Sequence, residues 1–255
     1  MRPRMDRADG SPCGVLPPRQ RETAMPSAVV VGVGPGLGAS LVRTFANEGY
    51  TVFAAARSAS ALPPFGEQSK DRVVPIDCDA TVEADVERVF ESASKVGTPE
   101  VAIFNAGAFV RSSILETKAA EFERCWRVGC FAGFLVGQAA ARRMVSQGRG
   151  TILFTGATAS LRGGAGFVNL ASPKFGLRAV AQSMARELGP KNIHVAHVII
   201  DGQIRSERYA HLEGERGPDS LLDPDAIAAQ YLALHRQQRS AWTQELDLRP
   251  WSEKF

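Results

Sequence analysis

Short runs of β-branched and small apolar residues alternate along this chain with longer stretches in which apolar positions recur every three or four residues. The runs at 28–33, 51–56, 73–76, 101–104, 151–155, 194–200 and 243–248 predict strands. Pro75 weakens the third, because proline cannot donate to a strand ladder. The stretches 38–48, 82–95, 122–147, 173–188 and 224–236 predict helices. Ser172-Pro173 and Asp223-Pro224 each read as a helix start, an N-cap acceptor followed by proline at the first helical position. Strands alternating with helices predict the α/β class: one doubly wound parallel sheet of about seven strands, with helices on both faces, in a single domain over 25–255. Residues 202–222, with Gly214, Gly217, Pro218 and many charges, read as a long loop of the kind that closes over a substrate.

Composition agrees with a globular chain and narrows its partners. Hydrophobic residues make up 44% and charged residues 22%, enough to bury a core and too apolar for disorder. The net charge of +3 comes from scattered Lys and Arg, so no phosphate-backbone footprint is expected and nucleic acid is not a predicted partner. Cys13, Cys78, Cys125 and Cys130 include no Cys-x-x-Cys pair and no histidine at ligand spacing, which predicts reduced cytoplasmic thiols and no metal. Apolar runs stay at strand length, so no membrane span is expected. Residues 1–24, rich in Arg and Pro and without an apolar stretch, predict a disordered tail; the start is either Met1 or Met25.

The strongest chemical signal is Gly32-Val33-Gly34-Pro35-Gly36-Leu37-Gly38, directly after the first strand and opening the first helix. Glycines there let the backbone approach a pyrophosphate, whose charge the amides and dipole of the helix N-terminus hold. The context of strand, turn and helix predicts Rossmann-like dinucleotide binding. At the end of the second strand, Ala54-Ala55-Ala56-Arg57-Ser58 has no carboxylate for a free ribose hydroxyl, and Arg57 suits a 2′-phosphate. NADP is therefore favoured, with NAD as the alternative.

Several motifs together resemble the short-chain dehydrogenase/reductase family over essentially all of 28–250. Gly32, Gly36 and Gly38 are similar to its glycine turn, with Leu37 between the last two. Asp77-Cys78 resembles the pair that flanks the adenine, and Asn105-Ala106-Gly107 its Asn-Ala-Gly after the fourth strand. Asp201-Gly202-Gln203-Ile204 is similar to its Pro-Gly turn, with aspartate for proline, and Lys174 falls on the lysine of its Tyr-x-x-x-Lys motif. The resemblance implies cofactor contacts for these residues, a small-molecule substrate, and a homodimer or homotetramer formed through the 122–147 and 173–188 helices.

The catalytic positions depart from that pattern. Leu170 stands four residues before Lys174, where the family has its tyrosine, Ala157 stands where it has its serine, and Gly129 where it often has an asparagine. Lys174 is thus the retained catalytic candidate, with Thr158 beside the missing serine and Tyr209 or His211 in the predicted lid as replacement hydroxyl and imidazole groups. His194 and His197, three apart on a strand, predict no site. Phe109, Val110, Trp126, Phe154, Phe167 and Leu170 suggest an apolar pocket near the nicotinamide end, and Arg111 or Arg162 would suit an acidic group. Two function classes follow: an NADP-dependent oxidoreductase of atypical proton transfer, or a noncatalytic nucleotide-binding or interaction protein on the same fold.

Overall fold

The computed structural model describes residues 25–253; the predicted tail at 1–24 lies outside them. Seven strands form one sheet: β1 (Ser27–Val31), β2 (Thr51–Ala56), β3 (Val73–Asp77), β4 (Val101–Phe104), β5 (Gly150–Thr155), β6 (Ile193–Ile200) and β7 (Glu245–Leu248). Their order is β3-β2-β1-β4-β5-β6-β7 and every pairing is parallel. All residues of β1, β4 and β6 are buried, as expected for strands covered on both faces. Pro75 sits on β3 at the sheet's edge, opposite Ala54, where a missing donor does not interrupt a central ladder.

The helices are α1 (Leu37–Asn47), α2 (Glu83–Ser94), α3 (Ala119–Trp126), α4 (Ala132–Gln147), α5 (Val168–Leu188), α6 (Ala210–Arg216) and α7 (Pro224–His235). One face of the sheet buries Phe90, Phe104, Phe154 and Leu177 beneath α2, α4 and α5. The other buries Phe45, Val30, Ile103 and Tyr231 beneath α1 and α7. The strand order reverses between β1 and β4, so a crevice opens at their carboxyl ends, which is where ligands of such sheets bind.

Three local expectations are corrected. The helix predicted over 122–147 is α3 and α4 joined by a π turn at Arg127–Phe131. A Cβ on Gly129 would stand 2.8 Å from Pro173 Cβ, so this turn seats against α5 only because residue 129 has no side chain. The helix expected to start at Pro173 begins at Val168, with Pro173 inside it, the Leu170 and Ala171 amides bonding to the Phe167 carbonyl. Asp223, by contrast, does cap α7, accepting from the Asp225 and Ala226 amides at 2.8 and 3.2 Å. Within 202–222 the chain is not an irregular loop throughout: it carries α6, and Arg205 clamps it through Glu213 and Asp223, each at 2.6 Å.

Candidate cofactor and substrate site

Gly32 leaves β1 at φ +89°, and a Cβ there would stand 2.3 Å from the Ala106 backbone nitrogen. The turn therefore presses directly on the β4–α3 connection. Asn105 fastens the same contact, its Nδ2 donating to the Gly32 carbonyl at 3.2 Å. Gly34 and Gly36 differ from Gly32: nothing lies within 4 Å of where their Cβ atoms would be. Packing within the chain does not explain these two glycines, whereas a ligand lying against bare backbone does. At the start of α1 no side chain caps the helix and its first turn holds no acidic residue, so the amides of Leu37 and Gly38 and the positive end of the helix dipole are left for an anion. The turn fits a pyrophosphate.

A cleft of about 430 Å³ runs from this turn across the sheet and is lined by Gly32, Arg57, Cys78, Asn105, Ala106 and Gly107, all named from the sequence. Phe109, expected in an apolar pocket, lines it as well, and Asp79, Thr81, Arg124 and Val128 line it without having been foreseen. Arg124 and Val128 lie one helical turn apart, but nothing in the sequence says that this side of their helix faces the crevice. Asp77 does not line the cleft; its Oδ1 accepts the Ala59 amide at 2.6 Å, tying the connection after β2 to β3. Burial pushes the Cys78 thiol up to about 11, so it stays protonated and serves as an apolar wall. A neighbouring space of about 380 Å³ shares Arg57, Asp79, Thr81 and Arg124 with the cleft and adds Arg127. Among the described residues neither Arg57 nor Arg124 forms an ion pair.

Gly202, Ile204 and Tyr209 line a separate cavity of about 370 Å³ against Gly36 and Leu37. The segment after β6 thus covers the glycine turn, and Tyr209 lines that cavity, not the cleft holding Asn105.

Lys174 is buried in α5, with its Nζ donating to the Thr155 carbonyl at 2.6 Å. Burial without a carboxylate partner brings its ammonium down to about 8. Leu170, one turn earlier, offers no proton. Thr158 Oγ1 donates to Asp201 Oδ1, and Asp201 also pairs with Arg249 at 3.2 Å. Thr158, the neighbour of the departing Ala157, thus meets Asp201, which stands where the family has its proline. Asn169 Nδ2 donates to the Val110 carbonyl at 3.0 Å and anchors the segment after β4 to the first turn of α5.

Of the expected apolar pocket, Phe109 and Phe167 stack on each other at 5.0 Å between centroids. Phe154 instead belongs to the core beside Phe104, and Trp126 stacks on Phe131 outside the cleft lining. His197, given no role from the sequence, is the buried centre of a partly buried chain: its Nδ1 lies 3.1 Å from Glu245, which Arg178 holds in two bonds at 2.7 Å, and its Nε2 lies 3.4 Å from Ser160. Burial lowers the imidazole to about 4, so it is neutral near pH 7. With Ser160 fully buried, this chain braces the segment after β5 and offers no accessible nucleophile.

A glycine turn at the reversal point of a parallel sheet, with an uncapped helix behind it, defines a dinucleotide-binding α/β protein. The profile of the short chain dehydrogenase family matches residues 26–212, and the chain belongs to that family, an oxidoreductase family. A crystal structure of a short-chain dehydrogenase from Rhodopseudomonas palustris is 45% identical, with a TM-score of 0.78 over 88% of this chain and 98% of its own. A structure of ElxO with NADP bound, 19% identical, shares the fold with a TM-score of 0.80 over 88% of this chain and 97% of its own. A (21S)-21-acetoxyl-apo-melianone synthase from Melia azedarach is 32% identical over 171 residues, 66% of this chain and 63% of that relative's length. Among the described residues no helix is long and apolar enough to cross a membrane.

Proposed function

We propose that this protein is an NADP-dependent oxidoreductase interconverting a carbonyl and an alcohol, with proton transfer that does not use a tyrosine. The observation that carries the reading is the pair Arg57 and Arg124, guanidiniums in the cleft that the glycine turn opens and that form no ion pair among the described residues. A ribose 2′-phosphate meets that charge, whereas a free hydroxyl leaves it unanswered. Gly32, Gly36, Leu37 and Gly38 hold the pyrophosphate, Cys78 and Val128 flank the adenine, and Asn105, Ala106, Gly107 and Ile204 line the way to the nicotinamide. A bound nicotinamide supplies or accepts the hydride at the substrate carbon. The substrate oxygen then needs a proton, and Lys174 Nζ, which holds or releases one near pH 8, provides it directly or through water. Thr158 is committed to Asp201 and orients the segment after β5.

Two copies pair through α4 and α5, which carry the half-exposed rings of Phe134 and Phe175.

Leu170, Ala157 and Gly129 favour a second reading, a protein that binds the nucleotide without turning it over. A fluorescence titration with NADPH and with NADH, followed by NADPH consumption against a panel of aldehydes and ketones, separates the two. Binding of NADPH at least tenfold tighter than NADH, loss of that preference in Arg57→Ala, and turnover of a carbonyl are the expected results. Binding without turnover favours the second reading, and binding of neither cofactor removes both.

A further inference from the structure

Four exposed apolar residues of this chain lie on two neighbouring connections of the sheet. Phe109, Ile114 and Leu115, at 43%, 72% and 94% exposure, follow β4, and Leu161 follows β5. Both connections leave the carboxyl ends of neighbouring strands beside the reversal point of the sheet. Of these four, Phe109 lines the cleft, and an exposed apolar ring in a ligand cleft suits an apolar partner.

Within that group Phe109 is built as a flat surface. Its ring stacks on Phe167 with planes 15° apart, and the Arg111 guanidinium lies 5.3 Å from the Phe167 centroid. Phe167 thus contacts both the Phe109 ring and the Arg111 guanidinium, and a stacked ring and a cation over a ring both restrain it against rotation. Of these three side chains Phe109 lines the cleft, two residues beyond Gly107. The next residue is fixed as well, because Asn169 holds the Val110 carbonyl from the turn of α5 that carries Leu170.

We infer that the substrate of this site is a flat, apolar carbonyl or alcohol, aromatic or conjugated, whose ring stacks on Phe109. This rests on the oxidoreductase reading for its chemistry, but the ring preference is a property of the binding surface and is measured without turnover. The probes are 2-acetylnaphthalene and its saturated counterpart 2-acetyldecalin, of nearly equal size and both apolar, titrated by calorimetry into the full chain with and without NADPH. Aromatic stacking beyond area burial predicts that the flat probe binds about three- to tenfold tighter. Phe109→Leu, which keeps apolar volume and removes the ring face, brings the two probes within twofold of each other. Equal binding of both probes to the wild type, or a preference that survives in Phe109→Leu, overturns the inference. The wild-type comparison stands even where the variant folds poorly. Failure to bind NADPH with an intact ring preference would instead strike only the oxidoreductase reading.

Discussion

Lys174 shows what a single side chain contributes when its usual neighbours are replaced. It is buried with a carbonyl for a partner and no carboxylate, and its ammonium is held down to about 8 against an ordinary 10.5. Between those values the unfolded chain binds the proton and the fold does not, so stability rises with pH from about 8 to 10.5, and the full cost of burying the charge is felt below 8. Lys174→Met is therefore expected to raise stability at pH 7 by about 1–3 kcal/mol, less the lost bond to Thr155, and to flatten that slope. Urea unfolding of both proteins at pH 7 and pH 10 reads the difference; a variant less stable at pH 7, or one with the wild-type slope, would show that the buried ammonium is not strained. The residue's position was legible through the family resemblance, in which it falls on the lysine of the Tyr-x-x-x-Lys motif. Its missing partner was not, because which groups face a buried amine depends on strands far apart in sequence. His197 makes the same point: alternation along β6 separates it from His194, yet only assembly of β6 with β7 brings Glu245 to it.

At the scale of elements, periodicity located all seven strands and most helices, since each is long or apolar enough to carry its own signal. The boundaries that shifted are those set by a neighbour. α5 begins before Pro173, and the proline packs into the notch left by Gly129, an arrangement invisible in either segment alone. Glycines divide along the same line. A Cβ at Gly133 in α4 would stand 2.3 Å from Leu177 Cδ1 and 3.1 Å from the Phe104 ring, so the two long helices meet there without room for a methyl group. Gly214 in α6 has nothing within 4 Å. Gly133→Ala is expected to destabilise by about 1–3 kcal/mol through overpacking, which exceeds the gain in helix propensity. Gly214→Ala, with propensity alone acting, is expected to be neutral or to stabilise by up to about 1 kcal/mol. Chemical denaturation of the pair checks the sign of each, and a destabilised Gly214→Ala or an unaffected Gly133→Ala would refute the packing account.

For the whole molecule, the two regions of exposed rings lie on different elements and imply different partners. Phe109 belongs to the connection after β4 and to the cleft. Trp126, Phe134 and Phe175 belong to α3, α4 and α5, at 38%, 40% and 43% exposure. Trp126 and Phe134 both stack on Phe131, forming a ladder along the helix, and Gly176, beside Phe175, lies against Cys130 and Trp126. Such a face loses water contact when a second copy presents the same face, since an isologous contact pairs each ring with its equivalents. Each ring withdrawn from water contributes at roughly 25 cal/mol per Å² of apolar area, so a few rings per copy supply a substantial part of a dimer's stability. Phe134→Asp combined with Phe175→Asp places charges at positions that water already reaches in one copy, so the fold and NADPH binding persist while pairing is lost. Light scattering coupled to size exclusion is expected to give a dimer or its multiple for the wild type and a single chain for the double variant. A wild type that runs as one chain at tens of micromolar, or a double variant that stays paired, would locate the contact elsewhere and leave these rings without a partner of their own kind.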